Sequence, residues 1–299
     1  MAKSWLSLGE ANEQLALAKE ALANRKEVEA AIEARFAQAL VDDGGTSAQL
    51  RLARTDSANA TEVIERWKGE VLRIRNQLEL LVGRYPVGAI GSGGVVLPRL
   101  PAKPPKGLPS ELLVRRPDIL EAERLYAAAT KDSEVSDLAR FPSFSLTSGT
   151  GRTSSTFSDL LDSDFGVWSL AGNLTVPILN GGSLQANYEA SRSDERSALA
   201  SLQRTVLDAF GEVEQALVAD EVLDRRIAAV RDALVEAEAA EQASVSDYAQ
   251  GLGSVLTLLQ ARDQRTQIAT QLVTLRRMRL SNRVDLHLAL GGDFQATSK

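Results

Sequence analysis

The residues able to carry chemistry are few and scattered. Among 299 residues there is no cysteine and one histidine, His287. The absence of thiols removes disulfide frameworks, zinc–thiolate sites, iron–sulfur clusters and cysteine nucleophiles. A single imidazole removes any site built on two, and His287 sits among Leu286, Leu288 and Leu290 as a packed or surface histidine would. Gly149-Thr150-Gly151-Arg152 lacks the Lys-Ser/Thr ending and following helix of a phosphate loop, and Gly91-Ser92-Gly93-Gly94 runs into prolines. The Ser/Asp-rich stretch 152–167 offers hydroxyls but no activating base. No catalytic, metal-binding or cofactor-binding residue is therefore expected, and the chain does not read as an enzyme. What remains are carboxylates beside glycines: Asp42 and Asp43 before Gly44 and Gly45, and Asp247 before Gly251, Leu252 and Gly253. Asp-Asp-Gly-Gly is an ordinary turn sequence, with glycine supplying positive φ.

The elements that must position these residues follow from proline and glycine. Six of the nine prolines lie between Pro86 and Pro109, and from Ser183 to Gln250 the only glycine is Gly211. Proline and glycine are costly inside helices, so residues 183–247 are free to form one helix roughly 100 Å long at 1.5 Å per residue. A helix of that length needs partners along its side, as in a coiled-coil-like bundle. The expected organisation is a helical hairpin over 1–84, a Pro/Gly linker over 85–108, a second repeat over 109–292 and a tail over 293–299. Within the second repeat a helix over 109–140, with Pro117 suited to a first turn, precedes a β-hairpin over 141–182 and helices over 183–247 and 255–290. The two helix pairs read as copies. A shift of 208 positions matches Leu50 with Leu258, Arg75 with Arg283, Leu78 with Leu286 and Gly83 with Gly291.

The composition is 44% hydrophobic and 25% charged with net charge −6, which excludes a disordered chain and gives no footprint for nucleic acid. No secretory leader pattern or 18-residue apolar run is visible, so composition by itself would suggest a soluble cytoplasmic protein. Residues 165–188 point elsewhere, because they carry no charge at all. Trp168, Leu170, Gly172, Leu174, Val176 and Ile178 alternate with Ser169, Ala171, Asn173 and Thr175, and Phe144 and Leu146 alternate with Ser143, Ser145 and Thr147. This is strand patterning with one apolar and one small polar face, as in transmembrane β-barrels. An ordinary hairpin packed on a helix would show the same alternation. A lone hairpin cannot span a bilayer with unsatisfied edges, so the membrane reading requires oligomeric closure.

The run Gly107-Leu108-Pro109-Ser110-Glu111-Leu112-Leu113-Val114-Arg115-Arg116-Pro117-Asp118-Ile119 resembles the entry to the second repeat of TolC-type outer-membrane efflux channels, closest to the NodT-like lipoproteins of tripartite pumps. Phe141-Pro142-Ser143-Phe144-Ser145-Leu146, Pro177-Ile178-Leu179-Asn180-Gly181-Gly182 and Ala209-Phe210-Gly211-Glu212-Val213-Glu214-Gln215-Ala216-Leu217 follow in that family's order. Tyr248-Ala249-Gln250-Gly251-Leu252 and Leu288-Ala289-Leu290-Gly291-Gly292 complete the series.

The resemblance implies a mainly α fold of long antiparallel coiled-coil-like helices, forming a segment of an α-barrel, with one transmembrane-type β-hairpin. It further implies a homotrimeric α/β-barrel in the outer membrane, extending into the periplasm, and acting as a passive conduit for small molecules or drugs. The implied partners are a periplasmic adaptor, an inner-membrane resistance–nodulation–division transporter and outer-membrane lipid. Asp42, Asp43, Gly44, Gly45, Asp247, Tyr248, Gly251, Leu252 and Gly253 would form periplasmic tips, where rings of carboxylates favour cations and hold a gate. Leu252, Val255 and Leu256 would face an adaptor or close the helical turn. Phe144, Leu146, Trp168, Leu170, Leu174, Val176 and Ile178 would face lipid, with Pro177, Gly181 and Gly182 turning strand into helix.

Two departures from the family pattern stand out. The hairpin moved back by 208 would fall before Met1, so the chain reads as truncated, without the family's first hairpin, first helix, leader and lipidated cysteine. The family's small apolar stretch before Phe-Pro-Ser is here Lys131-Asp132-Ser133-Glu134-Val135-Ser136-Asp137. The alternative reading is a non-channel paralogue, a helical bundle serving interactions alone.

Overall fold

A computed structural model describes residues 1–42, 47–101, 116–153 and 166–292. In chain order the elements are α1 (Ala2–Asp42), α2 (Ser47–Leu81), α3 (Pro117–Leu138), β1 (Ser143–Arg152), β2 (Gly166–Thr175), α4 (Ser183–Ala249) and α5 (Val255–Ala289). The chain divides into two compact units, one of residues 1–107 and 211–299, the other of residues 108–210. The units cut across the repeats read from the sequence, because α4 contributes residues to both.

The larger unit contains α1, α2, the second part of α4 and α5. At one level Leu8 and Ala11 of α1 pack with Val71, Ile74 and Leu78 of α2. Elsewhere Leu6 of α1 meets Val273 and Leu280 of α5, and Leu223 and Ile227 of α4 meet Leu275 of α5. The α1–α5 contact is lined with opposite charges. Lys3 pairs with Asp285 at 2.5 Å, Glu10 with Arg277 at 2.8 Å, Glu20 with Arg265 at 2.6 Å and Arg25 with Asp263 at 2.6 Å. Residue numbers fall on α5 as they rise on α1, so the pairs record an antiparallel register. Most of these side chains are partly exposed, and such pairs contribute roughly 0–1 kcal/mol each, so apolar burial carries the stability and the charges set alignment.

The 208-residue correspondence is visible in detail. Helices α2 and α5 are both 35 residues long and begin and end 208 positions apart. Both close on a left-handed glycine, Gly83 at φ 75° and Gly291 at φ 86°. The Arg84 N–H donates to the Glu79 carbonyl at 2.8 Å, and the Gly292 N–H donates to the His287 carbonyl at 2.9 Å, the same bond in both copies. This pattern satisfies carbonyls that the helix end would leave open.

In the smaller unit α3 starts with Pro117 in its first turn after an extended Arg116. The expected start at 109 lies outside the described residues, and the helix is described from Pro117, where the proline suits a first turn. The charged stretch 131–137 divides by face. Lys131 and Glu134 pair at 2.7 Å toward solvent, Ser133 is buried, and the Ser136 hydroxyl meets that of Ser191 on α4 at 2.7 Å. Small hydroxyls, not charges, therefore make the packed face. Arg140 lies 5.3 Å from the centre of the Tyr188 ring, fixing the end of α3 against the start of α4.

Candidate functional site

Strands β1 and β2 form a two-stranded antiparallel sheet in which Ser143 faces Thr175 and Arg152 faces Gly166. Cross-strand partners share a face, so the register sorts the side chains into two sets. Phe144 and Leu146 lie with Leu174, Gly172, Leu170 and Trp168 on one face. Ser143, Ser145, Thr147 and Gly149 lie with Thr175, Asn173, Ala171 and Ser169 on the other. Every residue of both strands is exposed. Trp168 is 79% exposed and Phe144 72%, so the apolar face packs on nothing among the described residues. An ordinary amphipathic hairpin would cover that face with a helix.

The strand ends differ from expectation. Pairing stops at Thr175, so Val176 and Ile178 fall beyond β2 although they continue its alternation. Pro177 has no N–H to donate and constrains Val176, while the partner strand begins only after Pro142. Gly181 at φ 61° and Gly182 at φ 80° then reverse the chain, and the Gly182 N–H donates to the Asn180 side-chain oxygen at 3.2 Å.

The second tip is a tight helical turn. Asp247 and Tyr248 belong to the last turn of α4, which runs two residues past the expected 247. The Asp247 carbonyl accepts N–H bonds from Leu252 at 2.9 Å and Gly253 at 3.0 Å, with Gly251 at φ 74°. Ser254 caps α5, its hydroxyl accepting from the Thr257 N–H at 3.2 Å. Tyr248 and Val255 pack on Val28, Ile32, Leu50, Ala53 and Leu258, so this turn rests against the α1–α2 hairpin. Val255 is thus part of the apolar closure. Leu252 and Leu256 remain 78% and 55% exposed, and the Asp247 side chain is exposed. Asp42 ends α1, while Asp43, Gly44 and Gly45 lie outside the described residues.

Three polar centres, buried at Glu79 and Asp220 and partly buried at Glu13, were not singled out from the sequence. Glu79, 2% exposed, accepts four consecutive backbone N–H bonds, from Val87 at 2.5 Å, Gly88 at 2.7 Å, Ala89 at 2.7 Å and Ile90 at 3.2 Å. Burial pushes its carboxyl upward, but the four N–H groups together hold it below the usual carboxylate range. Glu13 accepts the Leu97 N–H at 2.9 Å and pairs with Arg276 at 3.1 Å. Asp220, 3% exposed, binds Arg279 at 3.2 Å and Arg283 at 3.0 Å across the α4–α5 contact, and Arg279 also reaches Asp224. A glutamate every few residues is normal in such helices, so nothing in the local sequence marks these ones. Only Pro86 and the glycines after Glu79 hint that the following segment turns back. At the start of α3, the Arg116 guanidinium 2.6 Å from Asp118 holds that carboxyl below its ordinary range. No helix of the described residues is long and apolar enough to cross a membrane.

An exposed two-faced hairpin joined to long antiparallel helices defines the class. Residues 108–292 match the family described as Outer membrane efflux protein, and the chain belongs to that family. Cation efflux system protein CusC of Escherichia coli (strain K12) is 31% identical over 298 residues, covering 98% of this chain and 63% of that protein. The pyoverdine export outer membrane protein OpmQ of Pseudomonas aeruginosa is 39% identical over 196 residues, covering 64% of this chain and 40% of that protein. The solved outer-membrane channel OprN superposes with a TM-score of 0.88 at 26% identity, covering 98% of this chain and 65% of that one. The chain thus spans about 63% of the length of CusC.

Proposed function

We propose that this chain is the outer-membrane channel component of a tripartite efflux system, a passive conduit leading from the periplasm to the exterior. The observation that carries the reading is the hairpin. Its first strand is uncharged from Ser143 to Gly151, its apolar face is exposed along its length, and both its outer edges are open among the described residues. In hydrocarbon those edges must pair with further strands, so the hairpin belongs in a closed barrel built by several protomers, a homotrimer in this reading. The apolar face then meets outer-membrane lipid and the Ser/Thr/Asn face lines the passage. The tips carrying Asp42, Asp43 and Asp247 form the periplasmic mouth, where a ring of carboxylates favours cations. Leu252 and Leu256 face a periplasmic adaptor, which couples the channel to an inner-membrane transporter of the resistance–nodulation–division type. The named relatives export cargoes as unlike as cations and pyoverdine, so the conduit role is assigned here and cargo choice is left to the transporter.

The test combines membrane fractionation of the full chain with planar-bilayer recording of the purified protein. The proposal expects the chain in the outer-membrane fraction and discrete current steps whose cation preference falls when Asp247 is replaced by Asn. A chain confined to the soluble fraction, with no current steps, would support a helical bundle that acts through protein contacts alone.

A further inference from the structure

Residues 85–108 read as a Pro/Gly linker, but the described part of that stretch, continuous with the end of α2 from residue 82 to 101, does not behave as one. The segment crosses three helices of its own unit and is fastened to each. On α2, Glu79 gathers the N–H groups of residues 87–90, and the Arg75 guanidinium donates to the Gly91 carbonyl at 3.1 Å. On α1, the Asn12 amide donates to the Val95 carbonyl at 3.0 Å, and Glu13 accepts from the Leu97 N–H at 2.9 Å. The other Glu13 oxygen holds Arg276 of α5 at 3.1 Å, so one carboxylate ties the segment, α1 and α5 together. Leu97, 5% exposed, is wedged among Leu6 of α1 and Val273 and Leu280 of α5.

Close approach has been built into the helix beneath. Gly9 lies inside α1, where glycine costs about 1 kcal/mol relative to alanine. A Cβ at Gly9 would stand 3.2 Å from the Leu97 nitrogen and 3.2 Å from the Val96 carbonyl carbon. The outer surface of the segment is open by contrast, with Tyr85 84%, Val87 69% and Val96 69% exposed. Ile90 and Val95 pack on the Leu8–Leu78 cluster and Leu97 and Leu100 on the α1–α5 seam, and the hydrogen bonds that fasten the backbone between them are gathered largely at two carboxylates. Four N–H groups converging on one anion form a backbone nest, and they are lost together when the anion is lost.

We infer that residues 82–101 form a releasable clasp that holds the α1–α2 hairpin against α5, closed by the carboxylates of Glu79 and Glu13. With the clasp open, the Leu97 wedge leaves the α1–α5 seam. The ion pairs Lys3–Asp285 and Glu10–Arg277 then hold that end, and Lys3 and Asp285 are about half exposed. The clasp therefore sets how firmly the two helical hairpins are joined at the end away from the tips. The inference rests on these contacts alone and stands whether or not the chain conducts.

The experiment is amide hydrogen exchange by mass spectrometry on the full chain, comparing wild type with Glu79→Gln and Glu13→Gln. Glu79→Gln should speed exchange across 87–90 by about tenfold or more, the scale of a lost charged acceptor, with tip amides at 255–265 unchanged. Glu13→Gln, at a half-buried position, should open Leu97 while leaving 87–90 protected. The native chain has no cysteine, so Lys68→Cys with Val96→Cys allows spin labelling, and the distance distribution should broaden in Glu79→Gln. Unchanged exchange at 87–90, or acceleration there only in step with all of α2 and α5, would overturn the inference. An unbroadened distance distribution in a folded Glu79→Gln protein would do the same.

Discussion

Replacing Leu170 by arginine separates a membrane-spanning hairpin from one that merely projects into water. Leu170 is the fifth of the ten residues of β2 and faces Ser148 across the sheet. Ten residues at roughly 3.3 Å each, tilted by 35–45°, cover about 25 Å, the height of the apolar band of an outer-membrane barrel. Leu170 therefore sits near the midplane. It is 61% exposed in the isolated chain, so transfer of its side chain to lipid is worth roughly 1–2 kcal/mol. Arginine at that depth adds a penalty of about 2–4 kcal/mol, which falls to about 0–1 kcal/mol near an interface. Leu170→Arg should thus cost several times more than Leu174→Arg, whose site is one residue from the strand end. Ser169→Arg shares the depth of Leu170 but points to the opposite face, and should cost less than about 1 kcal/mol. The assay is equilibrium urea titration of the full chain in lipid vesicles, read by gel mobility of the unheated assembly. Equal losses for Leu170→Arg and Ser169→Arg, or for Leu170→Arg and Leu174→Arg, would refute the reasoning.

Three further outcomes follow from buried and strained sites. Asp220→Ala takes away the buried carboxylate that Arg279 and Arg283 share, and should destabilise the chain by about 3–5 kcal/mol in urea titration, while Glu221→Ala, from an exposed pair with Arg225, should stay within about 1 kcal/mol. Gly251→Ala meets no neighbouring atom but must hold φ at 74°, so it should cost roughly 1–2 kcal/mol by thermal melting, and Gly251→Asn should recover part of it. The folded-state pKa of Glu79 lies below its unfolded value of about 4.3, so its contribution is full above that pH and is lost as pH falls through the folded pKa. The stability gap between wild type and Glu79→Gln, followed by urea titration from neutral pH to acid, should stay level near neutrality and close only in the acid range. A gap that widened in acid would reverse the assigned sign.

The parts legible in the sequence are those governed by local rules. Pro-free and Gly-poor runs outline α4 and α5 to within two residues at each end and place α1 and α2 in one helical hairpin, because helix propagation depends on neighbours in sequence. The alternation from Trp168 to Leu174 reveals both faces of β2, since strand periodicity is itself local. At Val176 and Ile178 the alternation continues past the end of pairing, because pairing needs a partner, and that partner begins only at Ser143. What escaped notice depends on distant partners. Arg277 and Glu10 are 267 residues apart in sequence, and Glu13 and Leu97 are 84 apart. The segment after Gly83 reads as a loose linker from its prolines and glycines, yet those residues shape a backbone that a single buried carboxylate can grip. The 208-residue offset places Glu79 and His287 at equivalent positions, but only Glu79 is followed by chain that folds back upon it among the described residues.

The central claim, that the hairpin lies in the outer-membrane bilayer, is tested most directly through Trp168. Of the three tryptophans, Trp5 and Trp67 belong to helices, and replacing both by phenylalanine leaves Trp168 as the single reporter. In vesicles containing brominated phospholipid, Trp168 emission should be blue-shifted and strongly quenched by the brominated chains. Emission at the water-exposed wavelength, with no quenching by those lipids, would contradict that claim.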